Sequence, residues 1–163
     1  MQTRFLILIV CAAATGALAV AFALQYWGGF TPCTLCVWQR WPYALVIPLA
    51  LWASRYPKPA LFFLCSGLFA CVAVLAGYHA GVEQGWWRFA SACTGTIQAV
   101  TVEGLEAALA AAPLARCDQP SVVVLGLSLT VWNGLYAGVW AVVSGVWGIL
   151  YAKPTSCRPS HPR

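Results

Sequence analysis

The stretch "ALFFLCSGLFACVAVLAGYHA", residues 60–80, contains no Asp, Glu, Lys or Arg. At 1.5 Å per residue, a helix of that length covers about 30 Å, the thickness of a bilayer's hydrocarbon core. The rest of the chain is of the same kind. Of its 163 residues 61% are hydrophobic and only 8% charged, with a mean hydropathy of +0.77. A soluble domain carries about 25% charged residues, so this chain lacks the polar side chains to cover a water-facing surface. Nine Trp, six Tyr and seven Phe suit a protein with two membrane interfaces to anchor. The net charge of +5 does not indicate nucleic acid, because Lys and Arg stand singly between apolar runs and form no patch.

Three further apolar runs follow from the same measure: 5–26, 38–53 with Arg40 near its start, and 132–152. The expected fold class is an all-α integral membrane protein, a four-transmembrane-helix bundle forming a single domain over 1–163. Loops 27–37 and 81–131 would lie on one side, with loop 54–59 and tail 153–163 on the other. Residues 121–130, "SVVVLGLSLT", are apolar but would overextend the last span. They read as an interfacial segment or a tilted lead into that helix. "MQTR" and "ALA" at 17–19 resemble a signal peptide with its cleavage site. Hydrophobicity continues to Phe22 and Leu24, so the first run is read as an uncleaved span.

Four spans put both termini on one side, together with Arg4, Arg55, Lys58, Lys153, Arg158 and Arg163 and no acid. The opposite side holds Arg40, Arg88 and Arg116 with Glu83, Glu103, Glu106 and Asp118. The positive-inside rule makes the termini cytoplasmic. On this topology Cys33, Cys36, Cys93 and Cys117 are external, where disulfides persist. Cys11, Cys65 and Cys71 lie within spans and read as small hydrophobes, and Cys157 as a cytoplasmic thiol.

The external four fall into a close pair at the membrane edge, "PCTLC" at 32–36, and a wide pair in the long loop. Haem attachment needs C-x-x-C-H, and Val37 occupies the histidine position. A four-thiolate zinc site would ordinarily show a second close pair, whereas Cys93 and Cys117 are 24 positions apart. Plain structural disulfides remain open, although a C-x-x-C ring is too small to constrain the unfolded chain much. Redox chemistry is the more usual role of such a pair. Thiolate is the reactive form, and helix N-termini and cations favour it. A second helix starting around Cys36 would place its positive end beside that sulfur, with Arg40 four residues on and on the same face. A cation at this depth commonly marks a function, and snorkelling to headgroups is its bland alternative. Trp38, Trp41 and Tyr43 are either belt residues or the wall of a flat apolar ligand dissolved in the bilayer. With no dinucleotide fingerprint present, an electron sink would arrive through the membrane.

"PCTLCVWQR" after a first span, "YHAGVEQGWW" leaving the third, the lone Cys93, "PLARCDQP" around Cys117 and "LGLSLTVWN" before the fourth together resemble the bacterial DsbB family. The resemblance runs over about 5–152 and is specific in combination. The DsbA–DsbB–quinone chain keeps the bacterial periplasm oxidising. The resemblance implies a thiol:quinone oxidoreductase of the inner membrane that reoxidises a periplasmic DsbA-like thiol oxidase. Its cofactor would be quinone, ubiquinone or menaquinone, drawn from the membrane pool, and no metal is implied. It implies redox-active disulfides Cys33–Cys36 and Cys93–Cys117. Cys93 would be attacked by reduced DsbA, Cys117 would then attack Cys33, and Cys36 would be the thiolate facing quinone. Arg40 and His79 match quinone-associated positions, while an interfacial ion pair with Glu83 is the plainer reading of His79. Outside this family, the alternative is a thiolate metal-binding or transport protein with four membrane helices.

Three lesser expectations complete the reading. Residues 101–112, "TVEGLEAALAAA", suggest a short surface helix stopped by Pro113. Gly77/Gly81 and Gly134/Gly138 have the spacing of close helix contacts. Tyr136, Trp140 and Trp147 form a stripe suited to packing or lipid contact.

Overall fold

The computed structural model of the chain describes residues 2–89, 116–120 and 122–152. Four helices account for most of them: α1 (Gln2–Tyr26), α2 (Thr34–Arg55), α3 (Pro59–Glu83) and α4 (Leu129–Ala152). Each expected span lies inside one of these helices, which extend beyond it by up to four residues at an end. Cys93, Cys157 and the expected helix at 101–112 lie outside the described residues. So do Glu103, Glu106 and the basic residues of the tail.

Helices α1 (from Arg4), α3 and α4 are each long and apolar enough to cross a membrane. Helix α2 is less apolar, for it carries Gln39, Arg40, Pro42 and Pro48. Each proline removes one backbone hydrogen bond from the helix ladder. α2 is supported instead by its neighbours, since it packs against α1 on one side and α3 on the other. Pro59 opens α3 at its first position, where a missing N–H costs nothing.

The core is a column to which all four helices contribute. Val10 and Ala14 of α1, Tyr43 and Val46 of α2, Phe69 and Val72 of α3 and Ala137 of α4 are buried together. Phe69 meets the Tyr43 ring edge-on at 5.8 Å and stacks on Trp140 at 6.3 Å. The outward faces are apolar as well, with Leu8, Leu45, Val74 and Val142 each more than half exposed. Lipid tails are as apolar as leucine, so burial alone does not drive such helices together. Close packing and interhelical hydrogen bonds do. Ser66 Oγ donates to the Ala141 carbonyl at 2.7 Å, joining α3 to α4, and Tyr136 Oη donates to the Ala13 carbonyl at 2.9 Å, joining α4 to α1.

The α3–α4 contact is the most extensive in the bundle. Of the four glycines singled out in the sequence, Gly134 touches Ala76 across this seam, but Gly77 and Gly138 face open space. Gly81 lies under the ring of Trp87, which stacks on Tyr78 at 5.5 Å. Gly145 and Gly148 complete the seam, against Ser66 and against Phe62 and Phe63.

Residues 122–128 are not a tilted lead into the last helix, which starts at Leu129. Strands β1 (Val123–Val124) and β2 (Leu127–Ser128) pair antiparallel through a turn at Leu125 and Gly126. Both turn residues have left-handed φ, 53° and 80°, as a two-residue hairpin demands. Glycine accepts that conformation freely and leucine does so at a cost. Trp132 Nε1 donates to the Val124 carbonyl at 3.0 Å and pins the hairpin to α4.

A side chain at Gly148 would press on Phe63 at 3.2 Å and on Phe62 at 3.3 Å, whereas one at Gly138 would meet nothing. Gly148→Leu is therefore expected to destabilise the bundle by about 1–3 kcal/mol. Gly138→Leu should unfold with the wild type. Circular dichroism melts in detergent micelles check both.

Candidate functional site

Helix α2 begins at Thr34, two residues ahead of the start expected near Cys36, because Cys33 itself caps it. Cys33 adopts the extended backbone of an N-cap (φ −76°, ψ 167°), and its sulfur accepts the Cys36 backbone N–H at 3.3 Å. The C-x-x-C spacing is thus the spacing from N-cap to N3, in which a cap side chain satisfies an orphan N–H of the first turn. The same geometry brings the two thiols together. Cys33 Sγ–H donates to Cys36 Sγ at 3.0 Å.

Both sulfurs precede the apolar run 38–53, and their environments split them. The bond from Cys33, opposed by burial, holds Cys36 below the ordinary thiol range. The same bond, joined by burial, pushes Cys33 up to about 12. Arg40 also favours the Cys36 thiolate, but only weakly, because its guanidinium is held by α1. Nη1 donates to Gln25 Oε1 at 2.6 Å, and the group lies 5.0 Å from the Phe22 ring centroid.

Cys117 reaches this pair from the far end of the chain. It is fully buried with Cys33, Leu35 and Val82, with Cys36 packed against the group. The turn that carries it is braced by a two-pronged ion pair: Arg116 Nε and Nη2 donate to the Asp118 oxygens at 2.9 and 2.7 Å. That pair holds the Asp118 carboxyl below the usual range.

His79 is 2% exposed and stands one side chain deeper. Its Nε2 is 3.6 Å from Cys33 Sγ and 3.7 Å from Glu83 Oε1. The Glu83 carboxyl of the plainer expectation and the Cys33 thiol thus lie at similar distances from the same ring nitrogen. Glu83 is buried too and accepts from Thr130 Oγ1 at 2.7 Å. Cys33, Cys36 and His79 place two sulfurs and a ring nitrogen within 4.8 Å of one another.

Cys33, Cys36, His79 and Glu83 form one end of a cavity of about 520 Å³, within the range of small-molecule sites. It occupies the region where α1 and α4 part, for those two helices meet only sparingly. Its α1 wall runs from Gly16 to Gln25, roughly 14 Å along the helix. Arg40, Tyr43 and Tyr136 line it, while Trp38 and Trp41 are exposed on the outside of the bundle. Of Trp38, Trp41 and Tyr43, Tyr43 alone lines the cavity. In the α4 stripe Tyr136 faces it too, while Trp140 and Trp147 pack on the core.

Gln39, Thr130 and Asn133 also line the cavity and escaped the sequence reading. Their signal was present: each is a polar side chain in or beside an otherwise apolar run, which is expensive in a membrane and tends to mark a site. Cys33, Cys36, Cys117, Arg40 and His79 are brought to one place. Cys93, the remaining expected site residue, lies outside the described residues.

The fold and site define a helical membrane-type bundle with a buried thiol cluster at one end of an apolar-walled cavity. The chain belongs to the DsbB family: the family model described as "Disulfide bond formation protein DsbB" matches residues 3–147. It is 31% identical over 157 residues to "Disulfide bond formation protein B" of Azoarcus sp. (strain BH72), covering 86% of this chain and 89% of that protein. It is 29% identical over 126 residues to "Uncharacterized protein RP370" of Rickettsia prowazekii (strain Madrid E), covering 72% and 71% respectively. No solved structure matches the chain. The family makes it a multi-pass membrane protein of disulfide-bond formation.

The depressed Cys36 thiol sets the sign of a pH experiment. A lowered pKa keeps the thiolate populated further into acid. Alkylation of Cys36 in reduced protein should reach half its maximal rate below about pH 8.5, the ordinary thiol value. Cys33→Ala removes the donor and should move that midpoint upward, as read by iodoacetamide labelling and mass spectrometry across pH.

Proposed function

We propose that the protein reoxidises a periplasmic DsbA-like thiol oxidase and passes the electrons through its two cysteine pairs to membrane quinone. It would do so as a disulfide-generating thiol:quinone oxidoreductase of the bacterial inner membrane. On this reading α2, the least apolar helix, is a fourth span, the termini are cytoplasmic by the positive-inside rule and the thiol cluster lies at the periplasmic edge. The observation that carries this reading is that buried Cys117 packs with Cys33 and against Cys36, the two cysteines that line the cavity. A long-loop cysteine is thus packed into the membrane-edge pair, as a relay between a soluble partner and the bilayer requires.

The residues present suit a quinone. The α1 wall is apolar, the volume is adequate, and Arg40 and His79 offer polar contacts at the thiol end. Quinone supplies an acceptor of two electrons and two protons, at a potential above the roughly −120 mV of DsbA. The protein's own part is thiol–disulfide exchange. A thiolate of reduced DsbA-like protein attacks Cys93 of the Cys93–Cys117 disulfide, and Cys117 leaves with the electron pair. Cys117 then attacks Cys33 of the Cys33–Cys36 disulfide, and Cys36 leaves as a thiolate inside the cavity. Position N3 of α2 and, more weakly, Arg40 favour that anion.

A second reading has an observation of its own. Cys33, Cys36 and His79 converge closely enough to form a zinc donor set. Stoichiometric zinc in protein purified under mild conditions would favour it over the relay.

Purified full-length protein supplied with ubiquinone or menaquinone is expected to oxidise a reduced DsbA-like substrate over many turnovers. Cys36→Ser and Cys93→Ser should each abolish this. In Cys117→Ala the Cys93 thiolate can attack the disulfide of an oxidised DsbA-like protein, releasing one of that protein's thiols, and should hold it as a mixed disulfide visible on a non-reducing gel. Turnover that survives loss of Cys36 would reduce the cysteines to loop braces.

A further inference from the structure

The relay uses sulfur and quinone, yet α2 and α4 join two amides beside it, Gln39 buried and Asn133 half-buried, that exchange chemistry does not require. Gln39 is 5% exposed. Tyr43 Oη donates to Asn133 Oδ1 at 2.9 Å, and Asn133 Nδ2 donates to Gln39 Oε1 at 2.7 Å. Gln39 Nε2 lies 3.1 Å from His79 Nδ1, and His79 Nε2 lies 3.6 Å from Cys33 Sγ. These groups form one continuous line from the bundle core to the outer thiol.

The line has a direction. A carboxamide nitrogen can only donate, so His79 Nδ1 must accept and the ring proton of the neutral imidazole sits on Nε2. Asn133 offers its oxygen to the Tyr43 phenol, which leaves its nitrogen for Gln39. Gln39 must then offer its oxygen to Asn133 and its nitrogen to His79. Thr130 Oγ1 is 3.4 Å from the same Nδ1, but its hydrogen is given to Glu83. Around the ring, the titratable groups are Glu83 on α3, Cys33 and Cys36 at the start of α2, and Cys117 from the turn beside them.

We propose that Gln39 and Asn133 are positioning residues that lock the tautomer of His79, keeping its Nε2–H aimed at the Cys33 sulfur. This rests on the relay reading, in which Cys33 passes into and out of disulfides. When an incoming thiolate attacks the sulfur bonded to Cys33, a new S–S bond forms and the old one breaks. The electron pair stays on Cys33 as a thiolate. The exchange consumes no oxidant and transfers no proton. The Nε2–H hydrogen bond stands in for water at a sulfur that is 2% exposed. His79 thus acts on sulfur, and the amides act only through His79.

The chain contains two histidines, His79 and His161, so ¹⁵N-histidine labelling of the reduced, full-length protein in micelles yields two ring systems. His161→Ala assigns them. In the wild type the His79 ring is expected to carry its proton on Nε2. Asn133→Asp is isosteric, but its carboxylate only accepts, so the substitution should turn the Gln39 amide around and move the ring proton to Nδ1. Carbon-13 shifts of the labelled, newly introduced carboxyl identify the pH at which it is ionised. In a Cys36→Ala background, Gln39→Leu should slow alkylation of Cys33 about tenfold, as expected for losing a hydrogen bond to a charged group. Asn133→Asp should do the same at a pH where the new carboxyl is ionised. A wild-type ring protonated on Nδ1 would overturn the lock. So would an unchanged tautomer in Asn133→Asp with that carboxyl ionised, or undiminished Cys33 reactivity in Gln39→Leu. Loss of quinone turnover with these spectra intact would instead count against the relay alone.

Discussion

The sulfur of Cys33 holds three relationships at once. It closes the first turn of α2 by accepting the Cys36 N–H, it donates to the Cys36 sulfur, and it faces His79 from α3. Because the cap and the thiol pair are the same atoms, the helix cannot begin at Thr34 without bringing the two sulfurs together. The different acidities of the sulfurs follow from that geometry. One sulfur is the donor and stays a thiol, while the other receives the bond and is held as the more acidic partner. A dithiol on a flexible loop would have no such built-in order.

The surrounding bundle serves this arrangement through what it leaves unfilled. α3 and α4 close on each other through Gly134, Gly145 and Gly148, whereas α1 and α4 part above the Tyr136–Ala13 bond. The resulting cavity joins an apolar wall on α1 to polar groups at the thiol end. Inside lipid, every such polar group needs an internal partner. Arg40 finds one in Gln25, and Glu83 in Thr130. Gln39 finds partners in Asn133 and His79. Polar satisfaction and site assembly are here the same set of contacts.

Much of the architecture was legible in the chain. The apolar runs at 5–26, 60–80 and 132–152 could only be long helices in an apolar solvent, and the scarcity of charge ruled out a water-facing domain. The C-x-x-C followed by Arg40 marked the candidate site, and the motifs in combination pointed to the family. The hairpin at 123–128 was not legible, since a leucine in a left-handed turn contradicts local preference and is held there by pairing and by Trp132. Nor was the modest influence of Arg40 on Cys36, because spacing along a helix does not show that a guanidinium is turned toward α1.

Composition and period are properties of consecutive residues, so the sequence by itself determined a helical, lipid-facing protein with a close cysteine pair at one helix start. The meeting of Cys117 with Cys33, of Gln39 with His79 and of Asn133 with Gln39 spans 84, 40 and 94 positions along the chain. Contacts at such separations leave no periodic trace. They exist only when the helices pack and buried polar atoms, denied water, must pair with whatever the neighbouring helix presents.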